Sequence, residues 1–150
     1  MDFLVDMFGT REPEKGELEF FKKRPEVAGM ATEDNKIILN PFSKNSPAEQ
    51  QAVAQNEALR LFMKQQGTNP EFKLTDEQNK FFKGTEYEKD QAAAKQTILA
   101  RILTGDPSAK NATPEQIKAA QALGASIQQL APKEQMMSPM YADPFGNSIQ

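Results

Sequence analysis

The stretch SPAEQQAVAQNEALRLFMKQQG, residues 46–67, decides the fold class. Ser46 followed by Glu49 is a capping box: the hydroxyl accepts from the Glu49 N–H while the Glu49 carboxylate reaches back to the Ser46 N–H, so two surplus donors at a helix start find partners. Pro47 falls at the first helical position, where its missing N–H costs nothing and its fixed φ suits a helix. Gly67 supplies the left-handed residue on which helices stop. Between these marks, at about 100° per residue, Ala48, Ala52, Leu59, Phe62 and Met63 lie on one face with Asn56 at its border. The pattern predicts a helix from Ser46 to about Gln66 with one buried stripe.

Working outward, the same start signal recurs as TDEQ from Thr75 and TPEQ from Thr113, the latter with Pro114 at the first helical position. A short helix from Thr75 carries Phe81 and Phe82 and ends at Gly84. The next runs from about Glu88 to Thr104, gathers Ala94, Ile98, Leu99, Ile102 and Leu103, and stops before Gly105 and Pro107. The last, from Thr113 to about Leu130, aligns Ile117, Ala119, Ala120, Leu123, Ile127 and Leu130 before Pro132. Upstream, EKGELEFFKKR between Pro13 and Pro25 reads as a short helix that partly buries Leu18, Phe20 and Phe21. TEDN at 32–35 is turn chemistry between VAGMA and KIIL, which predicts a hairpin near 27–39.

The expected fold is therefore mainly α, with four to five short helices, a minor β-hairpin, and irregular N- and C-terminal segments. Residues 1–12 form an N-terminal docking segment, 13–131 the helical domain, and 132–150 an irregular tail. The core is expected around Leu39, Leu59, Phe62, Phe82, Ile98, Leu99, Ile102, Leu123 and Ile127.

Composition narrows the function. A chain of 150 residues suits one domain that buries about 70% of the surface its unfolded form exposes. An apolar fraction of 38%, ten prolines and a mean hydropathy of -0.66 leave part of the length outside that core. The formal charge of -3 is spread without a basic block; FKKRP at 21–25 reads as a solvated helix end, and nucleic acid is not an expected partner. The chain has no Cys and no His. That excludes disulfides, thiol nucleophiles, Ser-His-Asp triads and the commonest zinc ligands. Carboxylate chemistry, Lys or Ser/Lys chemistry and oxygen-ligated cations survive. MDFLVDMFG carries acids where a signal peptide carries bases, and its apolar run is too short for a span, so a chain cytosolic at synthesis and no membrane partner are expected.

Against that background, Asn56, Glu57 and Arg60 stand out within NEALR. With the preceding turn, the strand ending IILNP and the loop, residues 27–63 resemble in outline the zincin-type zinc metallopeptidases, whose motif helix places two His around a Glu. The resemblance implies a relic site at Asn56, Glu57 and Arg60, with Glu57 matching the family's general base and both ligand positions lost. The plainer reading is a helix border, in which Asn56 and Arg60 hydrogen-bond the hairpin or the strand end. Other carboxylates have ordinary explanations: Glu33 and Asp34 sit in the turn, and Glu86, Glu88 and Asp90 crowd a helix start. A glycosidase pair would need an aromatic cleft lining, and the chain has no Trp and two Tyr. TEDN and TGDPSAKN (104–111) lack the ligand spacing of an EF-hand. No catalytic residue, no cofactor and no metal site is assigned.

The ends differ in character. Phe3, Leu4, Val5, Met7 and Phe8 crowd one short segment, and Met136, Met137, Met140, Tyr141 and Phe145 crowd a tail broken by three prolines. Segments of this kind either fold back over their own helices or dock on another chain, where Met adapts to an imperfect groove. Docking through Phe3, Leu4, Val5, Phe8, Met136, Met137, Met140, Tyr141 and Phe145 is the expectation.

At VAGMATEDNKIILNPFSKNSPAEQQAVAQNEALRLFM (27–63) and TILARILTGDPSAKNATPEQ (97–116), the sequence resembles small virion-associated proteins of tailed bacteriophages of aquatic bacteria, over about residues 25–118. The resemblance implies a non-enzymatic structural or accessory component of the phage head or tail. Its partners would be other virion proteins, in multiple copies of a symmetric assembly. A degenerate zincin-like or cell-wall hydrolase-derived protein and a soluble regulator that binds a host protein are the rival readings.

Overall fold

A computed structural model describes residues 2–131. Its elements are α1 (Asp2–Phe8), α2 (Lys15–Lys23), β1 (Gly29–Ala31), β2 (Ile37–Leu39), α3 (Pro47–Gln66), α4 (Asp76–Phe82), α5 (Gln91–Leu103) and α6 (Pro114–Leu130), with 3-10 turns at Glu86–Lys89 and Pro107–Asn111. The fold is mainly helical with a two-stranded antiparallel sheet. Six α-helices are present among the described residues, not four to five.

The extra helix is α1, where an irregular N-terminal segment is expected from the sequence. Leu4, Val5 and Phe8 are spaced for one helical face and lie buried in the chain's own core, at 1%, 8% and 6% exposure. Seven residues are too few to hold a helix alone. Packing on α3 supplies the stability, and the Asp2 carboxylate accepts from Gln51 and Gln55 of α3, each at 2.7 Å. Leu4, Val5 and Phe8, expected to dock on another chain, are packed within this chain's own core. Phe3 is half-buried against the same core, whereas Met7 is 55% exposed. The expected docking residues Met136, Met137, Met140, Tyr141 and Phe145 lie outside the described residues.

The three capping boxes form as read. Ser46, Thr75 and Thr113 each accept from the N–H three residues on, while Glu49, Gln78 and Gln116 reach back to the cap N–H. Gly67 ends α3 at φ 64, a conformation that costs a residue with a Cβ about 1 kcal/mol or more. Asp90 caps α5 by accepting from Ala93 N–H at 3.0 Å. The helix expected from Glu88 is consequently a 3-10 turn followed by a fresh start.

Helix faces differ from expectation where a helix is enclosed on several sides. α3 packs against α1, both strands and α5, so its buried set is Ala54, Glu57, Ala58, Leu59, Leu61, Phe62 and Met63, while Ala48 is exposed and Ala52 half-buried. α6 contacts chiefly α5 and buries Gln116, Ala120 and Ile127, leaving Ile117 40% and Leu130 59% exposed. Of the expected core, Leu59, Phe62, Phe82, Ile98, Leu99 and Ile127 are buried, and Leu39, Ile102 and Leu123 pack at its margin.

The hairpin pairs Gly29 with Leu39, Met30 with Ile38 and Ala31 with Ile37, and Asn35 takes the turn's left-handed residue at φ 59. Gly29 lies so close to α3 that a Cβ there would meet Val53 Cγ1 at 2.9 Å and the Ile38 carbonyl at 3.0 Å. Asn40, 2% exposed, ties the strand end to the segment that follows α2: its Nδ2 donates to Val27 O at 2.7 Å and Arg24 O at 3.2 Å, and its Oδ1 accepts from Phe42 N–H at 2.8 Å. The two sheet edges are unlike. The outer edge of β2 is covered by residues 9–11, through Arg11 N–H to Ile37 O (3.1 Å) and Ile37 N–H to Gly9 O (2.9 Å).

Candidate functional site

The outer edge of β1 faces a pair of adjoining clefts of about 800 and about 880 Å³, which share Val27, Gly29, Glu57, Arg60, Thr85 and Tyr87. α3 forms the floor, β1 one wall, and the segment from Phe81 through α5 the other. Neither cleft is lined by a residue of β2.

Glu57 and Arg60 are one helical turn apart, so their side chains rise from the same strip of α3. Glu57 is 6% exposed and accepts from Arg60 Nη2; Arg60 Nη1 donates to the Tyr87 hydroxyl. The Arg60 guanidinium carbon lies 5.9 Å from the Tyr87 ring centroid, and Tyr87 meets Phe82 edge-on at 5.5 Å. Phe82 in turn meets Phe81 edge-on at 5.4 Å, and Arg101 lies over the Phe81 ring at 4.7 Å. The cleft floor is thus one chain of contacts from Glu57 through Arg60, Tyr87, Phe82 and Phe81 to Arg101.

Burial pushes the Glu57 carboxyl above its ordinary value of 4.5, against the opposing pull of the Arg60 charge; Glu86 adds to the rise. Burial lowers the Arg101 pKa, and the neighbouring Arg60 charge lowers it further, against the pull of Asp106. Arg60 Nε is buried without a hydrogen-bond partner among the described residues. An unsatisfied buried donor of this kind costs about 1–3 kcal/mol.

Of the residues singled out in the sequence, Asn56, Glu57 and Arg60 all line the cleft. Arg60 bonds Glu57 and Tyr87, and neither Asn56 nor Arg60 makes the expected side-chain hydrogen bond to the hairpin or strand end among the described residues. Tyr87 and Arg101 had no local signal marking them as part of the site. Tyr87 lies 27 residues from Arg60, and only folding joins them.

The Glu57 carboxylate is engaged by the cation that would otherwise be available to a ligand, and no three Asp, Glu, His or Cys side chains gather to hold a metal ion among the described residues. No described helix is long and apolar enough to cross a membrane. Comparison with protein-family models, with curated proteins and with solved structures gives no match for the chain.

Proposed function

We propose that this chain is a non-enzymatic binding protein, an accessory component of a tailed-phage particle that holds larger subunits. The observation that carries the reading is the closed Glu57–Arg60–Tyr87 cluster: the one buried carboxylate in the cleft is spent on an internal ion pair, while the wall above it keeps backbone groups free. A general base needs a lone pair aimed at a substrate proton, and Glu57 directs its carboxylate at Arg60 instead. Exposed aromatic side chains at both clefts, Phe20 at 40% and Phe81 at 57%, favour recognition of another chain. The virion setting comes from the sequence resemblance. Docking is assigned to the cleft side of the molecule, because Leu4, Val5 and Phe8 are consumed by the core.

The test compares the wild-type chain with Glu57→Gln on peptidoglycan and on a mixed peptide substrate, with products read by mass spectrometry. No product from either protein is expected. Turnover by the wild type that Glu57→Gln abolishes, with the fold intact, would replace this reading by that of a hydrolase.

A further inference from the structure

The edge of β1 combines two properties. First, its backbone is unpaired. Asn40 N–H donates to Ala28 O and Thr32 N–H to Lys36 O, both at 2.9 Å, which fixes the alternation of the ladder. Gly29 and Ala31 fall between these pairs, so their N–H and C=O groups point away from β2, and none is hydrogen-bonded among the described residues. Second, the edge is undefended. Natural sheets blunt free edges with Lys, Pro, bulges or a covering segment. Here β2 has such a cover in residues 9–11, whereas β1 is GMA, with none of these devices, and opens into the clefts.

Charge identifies what the third strand carries. Arg101 lines the same cleft as Gly29, yet its guanidinium makes no hydrogen bond or salt bridge among the described residues. The acids around it are committed. Glu26 pairs with Arg24, Glu49 accepts from Ser46 N–H at 2.8 Å, Glu57 pairs with Arg60, and Asp106 accepts from Ser108 N–H at 2.8 Å. The Arg101 guanidinium carbon lies over the Phe81 ring, 4.7 Å from its centroid, and a guanidinium pairs with a carboxylate through two parallel N–H groups.

We propose that the free edge of β1 takes an extended peptide segment of a partner protein as a third strand, and that Arg101 receives an acidic side chain of that segment. The inference rests on the binding reading above but goes further, since that reading survives if the contact surface lies elsewhere. Main-chain hydrogen bonds to Gly29 and Ala31 give affinity, and the arginine gives register.

A random seven-residue peptide library displayed on a heterologous carrier, selected on the whole chain, provides the probe. Selected peptides should carry Asp or Glu at one fixed position. Bound, they should slow amide hydrogen exchange at Gly29 and Ala31 at least tenfold. Ala31→Pro removes one outward N–H and no ladder bond; it should keep the thermal midpoint within a few degrees and lose binding tenfold or more. Arg101→Gln should keep the fold and erase the acidic preference. No binders, or binders that protect other residues and tolerate Ala31→Pro, would overturn the strand assignment. Retained particle association by Ala31→Pro would do the same while leaving the accessory role standing.

Discussion

Gln78 and Gln116 exchange a pair of hydrogen bonds, 2.8 Å from Gln78 Nε2 to Gln116 Oε1 and 2.7 Å in the other direction. Each is also the third residue of a capping box, accepting from Thr75 N–H or Thr113 N–H. The starts of α4 and α6 are therefore locked to one another, and Gln116 Nε2 further donates to Lys73 O at 3.2 Å. Gln116 is fully buried. Gln116→Leu strands several polar groups at once and is expected to cost about 2–3 kcal/mol in chemical denaturation. Thr113→Ala, which removes only one cap acceptor, should cost about 1 kcal/mol.

The first helix belongs to the core. Leu4→Ala should destabilise the chain by about 2–4 kcal/mol, as removal of a buried leucine does, because Leu4 is 1% exposed. Met7→Ala, on the exposed side of the same helix, should stay within about 0.5 kcal/mol. Equal, small effects of both substitutions on the thermal midpoint would detach α1 from the fold.

Glu57 and Arg60 should be strongly coupled. Arg60→Met leaves the Glu57 carboxylate buried without its cation and is expected to cost about 3 kcal/mol. Glu57→Leu combined with Arg60→Met removes both charges and should recover most of that loss. A double-mutant cycle by urea unfolding at neutral pH measures the coupling.

The elevated Glu57 pKa gives a signed pH dependence. Between its ordinary value of 4.5 and its higher value in the fold, the folded chain holds a proton that the unfolded chain has released. Stability from this group is therefore complete below 4.5 and falls as pH rises through that window, with a slope of at most about 1.4 kcal/mol per pH unit. Glu17, held below its ordinary value by Arg11, acts with the opposite sign at lower pH, but equally in both proteins. The stability difference between the wild type and Glu57→Gln, followed by urea melts across pH, should decline above pH 4.5; a rise would reverse the assignment.

Gly29→Ala tests the seating of the hairpin. The added Cβ meets a backbone carbonyl and Val53 within 3.0 Å, so a loss of about 1–3 kcal/mol is expected. Gly16→Ala, with open space around it in α2, should be neutral or stabilising by up to about 1 kcal/mol.

What was legible in the sequence is what is decided locally. Ser46, Thr75 and Thr113 announced their helices because a capping box is complete within four residues, and Asn35 could be placed in a turn by its neighbours. α1 was missed because its few residues look like any apolar cluster until α3 lies against them. The buried face of α3 was drawn too narrow because Ala54, Ala58 and Leu61 are covered by elements from other parts of the chain. Half of the candidate site was visible for a similar reason: Glu57 and Arg60 are paired by helix geometry, whereas Tyr87 and Arg101 join them only through the tertiary fold. The free edge of β1 depends on the ladder register and on residues 9–11 covering β2, neither of which periodicity reveals.

Attachment to a particle is the proposed role of the chain. Gradient-purified phage particles, digested and quantified against isotope-labelled peptides of this chain, test it most directly. A fixed number of copies per particle, retained after a salt wash, is the expected result; finding the chain only in the cell lysate, with none in the particles, would contradict it.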